Sequence, residues 1–295
     1  ILAIHYGSII AADPVWAARF TFDATTLAII MMAYGFIAAI LPVWFLLAPR
    51  DYLSTFLKIG VILLMAVAIV IVAPDIQMPK TNSQYFDGTG PVFAGGLFPF
   101  LFITIACGAI SGFHALVSSG TTPKLVENES HIRMIGYGGM LTESFVAIMA
   151  LICATVLEPG VYFAINSPAA LIGVDAQSAS EAIRTLGFVV TPESLTLLAQ
   201  EVGEHSILSR AGGAPTFAIG MAHILSEIFN NRSMMAFWYH FAILFEALFI
   251  LTAVDAGTRA CRFMVQDTVG IVIPALKQSH NFFGNMIGTA VAVSG

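Results

Sequence analysis

Charge is scarce in this sequence. Lys and Arg number 12 and Asp and Glu 18, and together they make up 10% of the 295 residues, where a soluble domain carries about 25%. So few charges cannot keep the surface of a chain this long in water, which excludes an ordinary soluble domain. Basic clusters are missing as well. With a net charge of −6, a pI near 5.6 and no stripe of Lys and Arg, the chain has nothing with which to hold a phosphate backbone, so no nucleic acid is expected as a partner. Cysteine is limited to Cys107, Cys153 and Cys261, an odd and widely spaced set that gives neither a disulfide framework nor a CxxC metal pattern; all three suit small core positions. There is no P-loop, dinucleotide fingerprint, GxSxG elbow or zinc-type His pair. No catalytic site, metal site or cofactor is therefore expected, although the missing P-loop excludes an ATPase domain only within these residues. An initiating Met and a basic leader are also absent. The chain opens Ile1-Leu2-Ala3-Ile4 and closes in the apolar run Met286 to Gly295, which predicts an internal segment of a longer protein without a signal peptide.

What is present is hydrophobic: 58% of the residues, for a mean hydropathy of +0.86. Lipid is the solvent that such a surface implies. A bilayer core of roughly 30 Å needs about 20 helical residues, and five stretches meet or approach that length: 25–48, 59–73, 97–117, 136–157 and 234–254. Residues 1–12 read as the tail of an earlier helix and 283–294 as the start of a later one. The fold predicted is all-α, a polytopic membrane helix bundle. Lys and Arg collect in short cytoplasmic connections, and Arg50, Lys58, Lys124, Arg133, Arg259, Arg262 and Lys277 all fall on one side of this arrangement. The opposite segments, 74–96 and 158–232, are longer and poor in basic residues for their length. The second is an extracytoplasmic insertion with a helix start at Thr191-Pro192-Glu193, a break at Gly212-Gly213-Ala214-Pro215, and a semi-apolar stretch, Thr216 to Phe229, suited to an interfacial or re-entrant helix.

Solutes that cross a membrane are held where helices are interrupted and backbone groups face a cavity. Gly35 and Pro42 bracket the centre of the first span. Pro42 lacks a donor and clashes with the carbonyl four residues back, so the helix either breaks to make a site or simply bends. Cys107, Ser111, His114 and Ser118 recur at helical spacing within roughly a 60° stripe. Hydroxyls there either hold a small cation or carboxylate, with His114 taking up a proton, or bond back to their own helix. Ionisable residues at membrane depth are functional candidates, and three stand out. Glu143 lies in the fourth span. Glu246 is central in the fifth, as a proton carrier or one half of a buried pair. Asp255 stands four residues from Arg259 and pairs with it on a regular helix.

These residues also carry a resemblance. Leu41-Pro42-Val43-Trp44, Leu47-Ala48-Pro49-Arg50-Asp51-Tyr52, Phe98-Pro99-Phe100-Leu101, Ser111-Gly112-Phe113-His114, Ser118-Ser119-Gly120-Thr121-Thr122-Pro123-Lys124 and Leu251-Thr252-Ala253-Val254-Asp255-Ala256-Gly257-Thr258-Arg259 resemble the bacterial carbon starvation protein A family over nearly the whole chain. The resemblance implies a multi-pass protein of the bacterial inner membrane and part of an inverted-repeat (LeuT-like) transporter fold, with two inverted five-helix repeats. It implies secondary active uptake of small peptides, with a proton-coupled pyruvate symporter as the alternative and an ion channel or a membrane-embedded enzyme as remoter rivals. By the same likeness the first span is the broken sixth helix of the fold and the third span its eighth, which supplies hydroxyls to an ion site. The N-terminal helices that complete the solute site are missing partners. Tyr34, Gly35, Phe36, Pro42, Trp44, Ser111 and His114 are then expected to bind the solute. Ser118, Ser119, Thr122, Glu246 and Asp255 are expected to serve a coupling H⁺ or Na⁺.

Overall fold

The computed structural model describes residues 2–294 except 94, 111, 121, 125 and 275–281; side chains are likewise described except at 84, 107, 113, 120 and 124. Ser111, the Cys107 side chain and Lys277 therefore lie outside the described residues. The described chain is all-α: α1 (Leu2–Ala12), α2 (Pro14–Phe20), α3 (Ala24–Ile40), α4 (Leu47–Val72), α5 (Leu97–Ile110), α6 (Gly112–Gly120), α7 (Ile132–Thr155), α8 (Pro159–Asn166), α9 (Ala169–Ile172), α10 (Ala176–Thr185), α11 (Pro192–Glu201), α12 (Ala214–Ile228), α13 (Met235–Val269) and α14 (Phe282–Ser294). Among the described residues, four helical stretches are long and apolar enough to cross a membrane: Leu47–Val72, Leu97–Ser119, Glu129–Thr155 and Arg232–Val269. A bent pair, α2 and α3, meets at 59° and makes a fifth if taken as one span.

Three span ends differ from the sequence reading. The first span was expected to run to residue 48 and the second to start at 59. Instead α3 stops at Ile40 and α4 runs unbroken from Leu47. Pro49 falls in the first turn of α4, where a missing amide costs nothing, so Arg50, Asp51 and Lys58 belong to a helix and not to a loop. The fifth span was expected to end at Val254, yet α13 continues to Val269 and is 35 residues long, about 52 Å at 1.5 Å per residue. Arg259 and Arg262 are 3% and 5% exposed; two of the residues that set the orientation by sequence are therefore buried structural groups.

The chain divides into two compact units, residues 1–57, 106–136 and 247–295 in one and 58–105 and 137–246 in the other. In the first, α14 packs on α3. In the second, the segment 158–232 folds into helices with its own core: Ile165, Ile183, Leu195, Val202, Ile219 and Leu225 are at most 2% exposed. Helix α10 packs on α8, α9 and α11, and α12 on α8. The Thr191 hydroxyl caps α11 in a reciprocal box with Ser194, and Gly213 at φ 86 precedes α12, as the turn residues predict. Gly220 lets α12 press on α7, for a Cβ there would stand 2.1 Å from the Cys153 carbonyl oxygen. Helix α12 was read as an interfacial or re-entrant element. Its buried residues run from Thr216 through Ile219, Ala222 and Leu225, so protein encloses it on more than one face.

Asp175 caps α10. Its Oδ1 accepts the amides of Gln177 and Ser178 at 3.0 Å, and Ser178 Oγ donates to Oδ2 at 2.7 Å. The Ser178 amide, then its hydroxyl, hold the carboxyl below the usual aspartate range. A lowered folded-state value means that the cap is fully effective above the ordinary aspartate range and is lost as pH falls through the lowered one. Hydrogen exchange at Gln177 and Ser178, taken relative to intrinsic rates, is therefore expected to lose protection in acid. Asp175→Asn, which keeps the acceptor but does not titrate, is expected to show no such step.

Candidate functional site

The break after α3 follows from one residue. Proline drives the residue before it out of the helical region, and Leu41 sits at φ −63, ψ 147. An α-helix would close the Ala38 carbonyl with the amide of residue 42, and Pro42 has none. The last carbonyls of α3 are left as acceptors at the negative end of the helix dipole. Helix α13 supplies the donors. Arg259 Nη2 donates to Ala38 O at 2.7 Å and Leu41 O at 3.0 Å, and Arg262 Nη1 donates to Ala39 O at 2.5 Å. Both arginines belong to a stripe, Asp255, Arg259, Arg262 and Gln266, spaced by four, three and four residues on one face of α13. Gln266 Nε2 extends the stripe to α14, donating to Asn285 Oδ1 at 2.9 Å. Close approach is possible because α3 presents Gly35: a Cβ there would lie 3.3 Å from Thr258 Oγ1 and 3.4 Å from Val254.

One turn along the stripe, Asp255 is 1% exposed. The Tyr34 hydroxyl donates to its Oδ2 at 3.1 Å, and the Arg50 guanidinium forms an ion pair with the same oxygen and donates to Tyr34. Arg50 also reaches Asp51 at 3.2 Å, and Thr252 Oγ1 donates to Asp51 at 3.3 Å. Asp255 Oδ1 is buried and has no hydrogen-bond partner among the described residues. A carboxylate in low dielectric with one oxygen bonded and one bare is well placed to take a proton or a cation. Three guanidiniums, Arg50, Arg259 and Arg262, stand against two carboxylates, Asp51 and Asp255, an excess of positive charge suited to a solute carboxylate.

The expected Asp255–Arg259 pair is a correction. The two are four residues apart on α13, but the Arg259 head is drawn to the open carbonyls of α3 and Asp255 takes Arg50 from α4. Of the residues expected to bind solute, Tyr34 and Gly35 lie in this cluster. Phe36 is half-buried on α3, Pro42 is exposed in the break, and Trp44 is 72% exposed in the turn after it, its ring edge-on to Phe45. His114 is exposed on α6. Ser118 and Ser119 hydroxyls both donate to Ala115 O, at 3.0 and 2.7 Å, and Thr122 Oγ1 to Val117 O at 3.2 Å, so these three hydroxyls bond back within their own segment. Glu143 is exposed on α7. Glu246 is half-buried and forms no ion pair among the described residues. Arg50, Arg262 and Gln266 were missed as site residues. For Arg262 and Gln266 the signal was the stripe on α13, overlooked because the span was closed at Val254; Arg50, on α4, was placed in a connection between spans.

The profile of the family described as carbon starvation protein CstA matches residues 1–295. A peptide transporter CstA of Campylobacter jejuni is 71% identical over 295 residues, which are 100% of this chain and 42% of that protein. The peptide transporter CstA of Escherichia coli K12 is 58% identical over 99% of this chain and 42% of its own length. A pyruvate/proton symporter, BtsT, of the same strain is 51% identical over 99% of this chain and 44% of its own. The chain thus spans less than half the length of these curated relatives. No solved structure matches.

Proposed function

The chain belongs to the carbon starvation protein CstA family, and from that membership we propose that it forms part of a secondary active transporter that takes up peptides. It is a multi-pass protein of the bacterial inner membrane. The single observation that carries the reading is the interrupted α3 with its freed carbonyls held by buried arginines, beside a buried carboxylate with one bare oxygen. Arginines that cap the last carbonyls of a helix occur in many folds, but a transport site needs freed backbone groups and a titratable or cation-binding group side by side, and both are present here. Tyr34 and Gly35 flank the solute, Asp255 carries the coupling proton, and neutralising Asp255 releases Arg50 for the carboxylate of the incoming solute. The hydroxyls of Ser118, Ser119 and Thr122 would serve a cation only by leaving their own carbonyls. The activity is passage of an unchanged solute, with no chemical step on it.

A proton-coupled pyruvate symporter is the second reading. The excess positive charge of the Arg50, Arg259 and Arg262 cluster favours it, since a lone carboxylate suffices to fill it. Counterflow in liposomes holding the full-length protein separates the two. Labelled tripeptide is expected to exchange and to be displaced by unlabelled peptide but not by pyruvate. An imposed proton gradient is expected to drive saturable, uphill accumulation. Uptake of both solutes that ignores the gradient would overturn the proposal, and flux that never runs uphill would make the protein a channel.

A further inference from the structure

We propose that the face of α7 around Glu143 is the docking surface for a further membrane helix of the same polypeptide, one that brings a Lys or Arg to the middle of the bilayer. Glu143 is the twelfth of the 24 residues of α7. At 1.5 Å per residue the helix is about 36 Å long, enough to cross a hydrocarbon core of roughly 30 Å, and it belongs to one of the four stretches apolar enough to do so. Its middle residue lies at the greatest depth, and a Glu side chain is too short to carry its charge to either surface as a Lys or Arg does. Yet Glu143 is exposed and forms no ion pair among the described residues. What an exposed group meets at that depth is hydrocarbon, where a bare carboxylate is costly.

The rest of the helix shows which side is covered. From Gly139 to Ala150, the residues within roughly 40° of Glu143 are Gly139, Ala147 and Ala150. None has a side chain larger than a methyl group, and a Cβ at Gly139 would meet nothing within 4 Å. Leu141, Phe145 and Ile148 stand roughly 140–160° away and are 59%, 44% and 57% exposed, a surface suited to lipid. Small residues by themselves mark no partner; here they surround a carboxylate that lipid cannot accept, and they leave room for a second backbone to approach. Helix α12 does not fill that room, since Cys153, which abuts its Gly220, lies roughly 80° round the helix from Glu143. The flanking hydroxyls do not answer the charge either: Thr142 donates to Gly138 O at 2.8 Å and Ser144 to Met140 O at 2.9 Å.

Charge and length identify the occupant. The basic residues of α4 and α13 are engaged elsewhere: Arg50 by Asp255, Arg259 and Arg262 by the α3 carbonyls, and Lys58 by interactions of its own. Arg133, on α7 itself, is ten residues from Glu143, about 15 Å along the axis. More than half of each relative lies outside the part that this chain matches, which is 42% of the Campylobacter jejuni and Escherichia coli peptide transporters and 44% of the symporter. That length is where further spans come from. A Lys or Arg on one of them pairs with Glu143, each charge offsetting the other, and the glycine and alanines let the two helices meet closely. A second copy of this face would offer only another glutamate.

The test uses the full-length protein with a fluorescent tag, extracted from the membrane and read by its size-exclusion profile, a measure of folding that needs no uptake. Glu143→Leu, which a lipid-facing position would favour, is expected instead to lose most of the monodisperse peak, while Leu141→Ala on the opposite face keeps it. Glu143→Arg is expected to fail likewise and to be restored when one mid-span Lys or Arg outside these residues is exchanged for Glu; each such residue is exchanged in turn. Restoration by one exchange identifies the partner. A Glu143→Leu protein as monodisperse as wild type, or a Glu143→Arg protein that no exchange restores, overturns the proposal. Ala147→Cys, oxidised in the membrane, is expected to stay monomeric; a disulfide-linked dimer would place a second copy on this face and overturn the proposal as well. None of these outcomes depends on what the protein transports.

Discussion

Arg259→Ala is expected to destabilise the full-length protein by about 3 kcal/mol, and Pro42→Ala is expected to restore part of the loss. The guanidinium bonds two carbonyls, Ala38 and Leu41, at a residue 3% exposed. A buried acceptor stripped of its partner costs about 1–3 kcal/mol; the bond to Ala38 O is buried and that to Leu41 O partly so, which puts the loss of both near the top of that range. Both bonds come from a single nitrogen, Nη2, so an ammonium has donors enough for both oxygens, but it is a more strongly hydrated charge to bury, and Arg259→Lys is expected to fall between wild type and Arg259→Ala. Pro42→Ala works from the other end. It returns an amide to residue 42, lets α3 add a turn, and closes Ala38 O within the helix. Unfolding of the two single variants and the double in detergent therefore forms a cycle in which the double loses less than the two added together. Strict additivity would show that Arg259 does not act on the carbonyls that Pro42 frees. Pro42→Ala alone is expected to leave the fold intact and to abolish gradient-driven uptake, since closing the break removes the interrupted helix on which the transport reading rests.

Much of this break was legible in the sequence. Leu41-Pro42 marks a point at which the helix either stops or bends, and α3 takes the first course, ending at Ile40. The capped start of α11 at Thr191-Pro192 and the break at Gly212-Gly213-Ala214-Pro215 before α12 were plain, because both are local chemistry. What could not be read was who answers the break. Arg259 sits four residues from Asp255, and local rules favour that pair; only the tertiary placement of α3 against α13 shows that open carbonyls compete for the guanidinium and win. The length of α13 was misjudged for a related reason. Charges were taken as the end of a span, when a stripe of them on one face is how a membrane helix serves a polar interior while the other faces stay apolar. Ser118, Ser119 and Thr122 show the opposite limit. Spacing places hydroxyls on a face, but it does not decide between an ion and the helix's own carbonyls, and Ala115 and Val117 hold them here.

Asp255→Asn is expected to uncouple transport: accumulation driven by a proton gradient falls at least about tenfold, while counterflow exchange, which needs no net proton movement, persists. Loss of coupling has to be told apart from loss of fold, because removing one member of a buried ion pair is itself expensive, about 3–5 kcal/mol when both members are fully buried. Arg50 is 19% exposed at its side chain, so water tempers that figure, and Asp51 at 3.2 Å remains as a second partner. Arg50→Met combined with Asp255→Asn removes both charges and is expected to recover most of the stability lost in Asp255→Asn. It is not expected to recover gradient-driven uptake, since no titrating group remains beside Tyr34. Arg50→Met alone leaves Asp255 charged, buried and bonded only to Tyr34, and is expected to be the least stable of the three. If the double variant regains both stability and coupling, Asp255 is a structural anchor and the coupling proton travels elsewhere. Stability regained without coupling makes the carboxylate with the bare oxygen the place where the proton sits while the solute crosses.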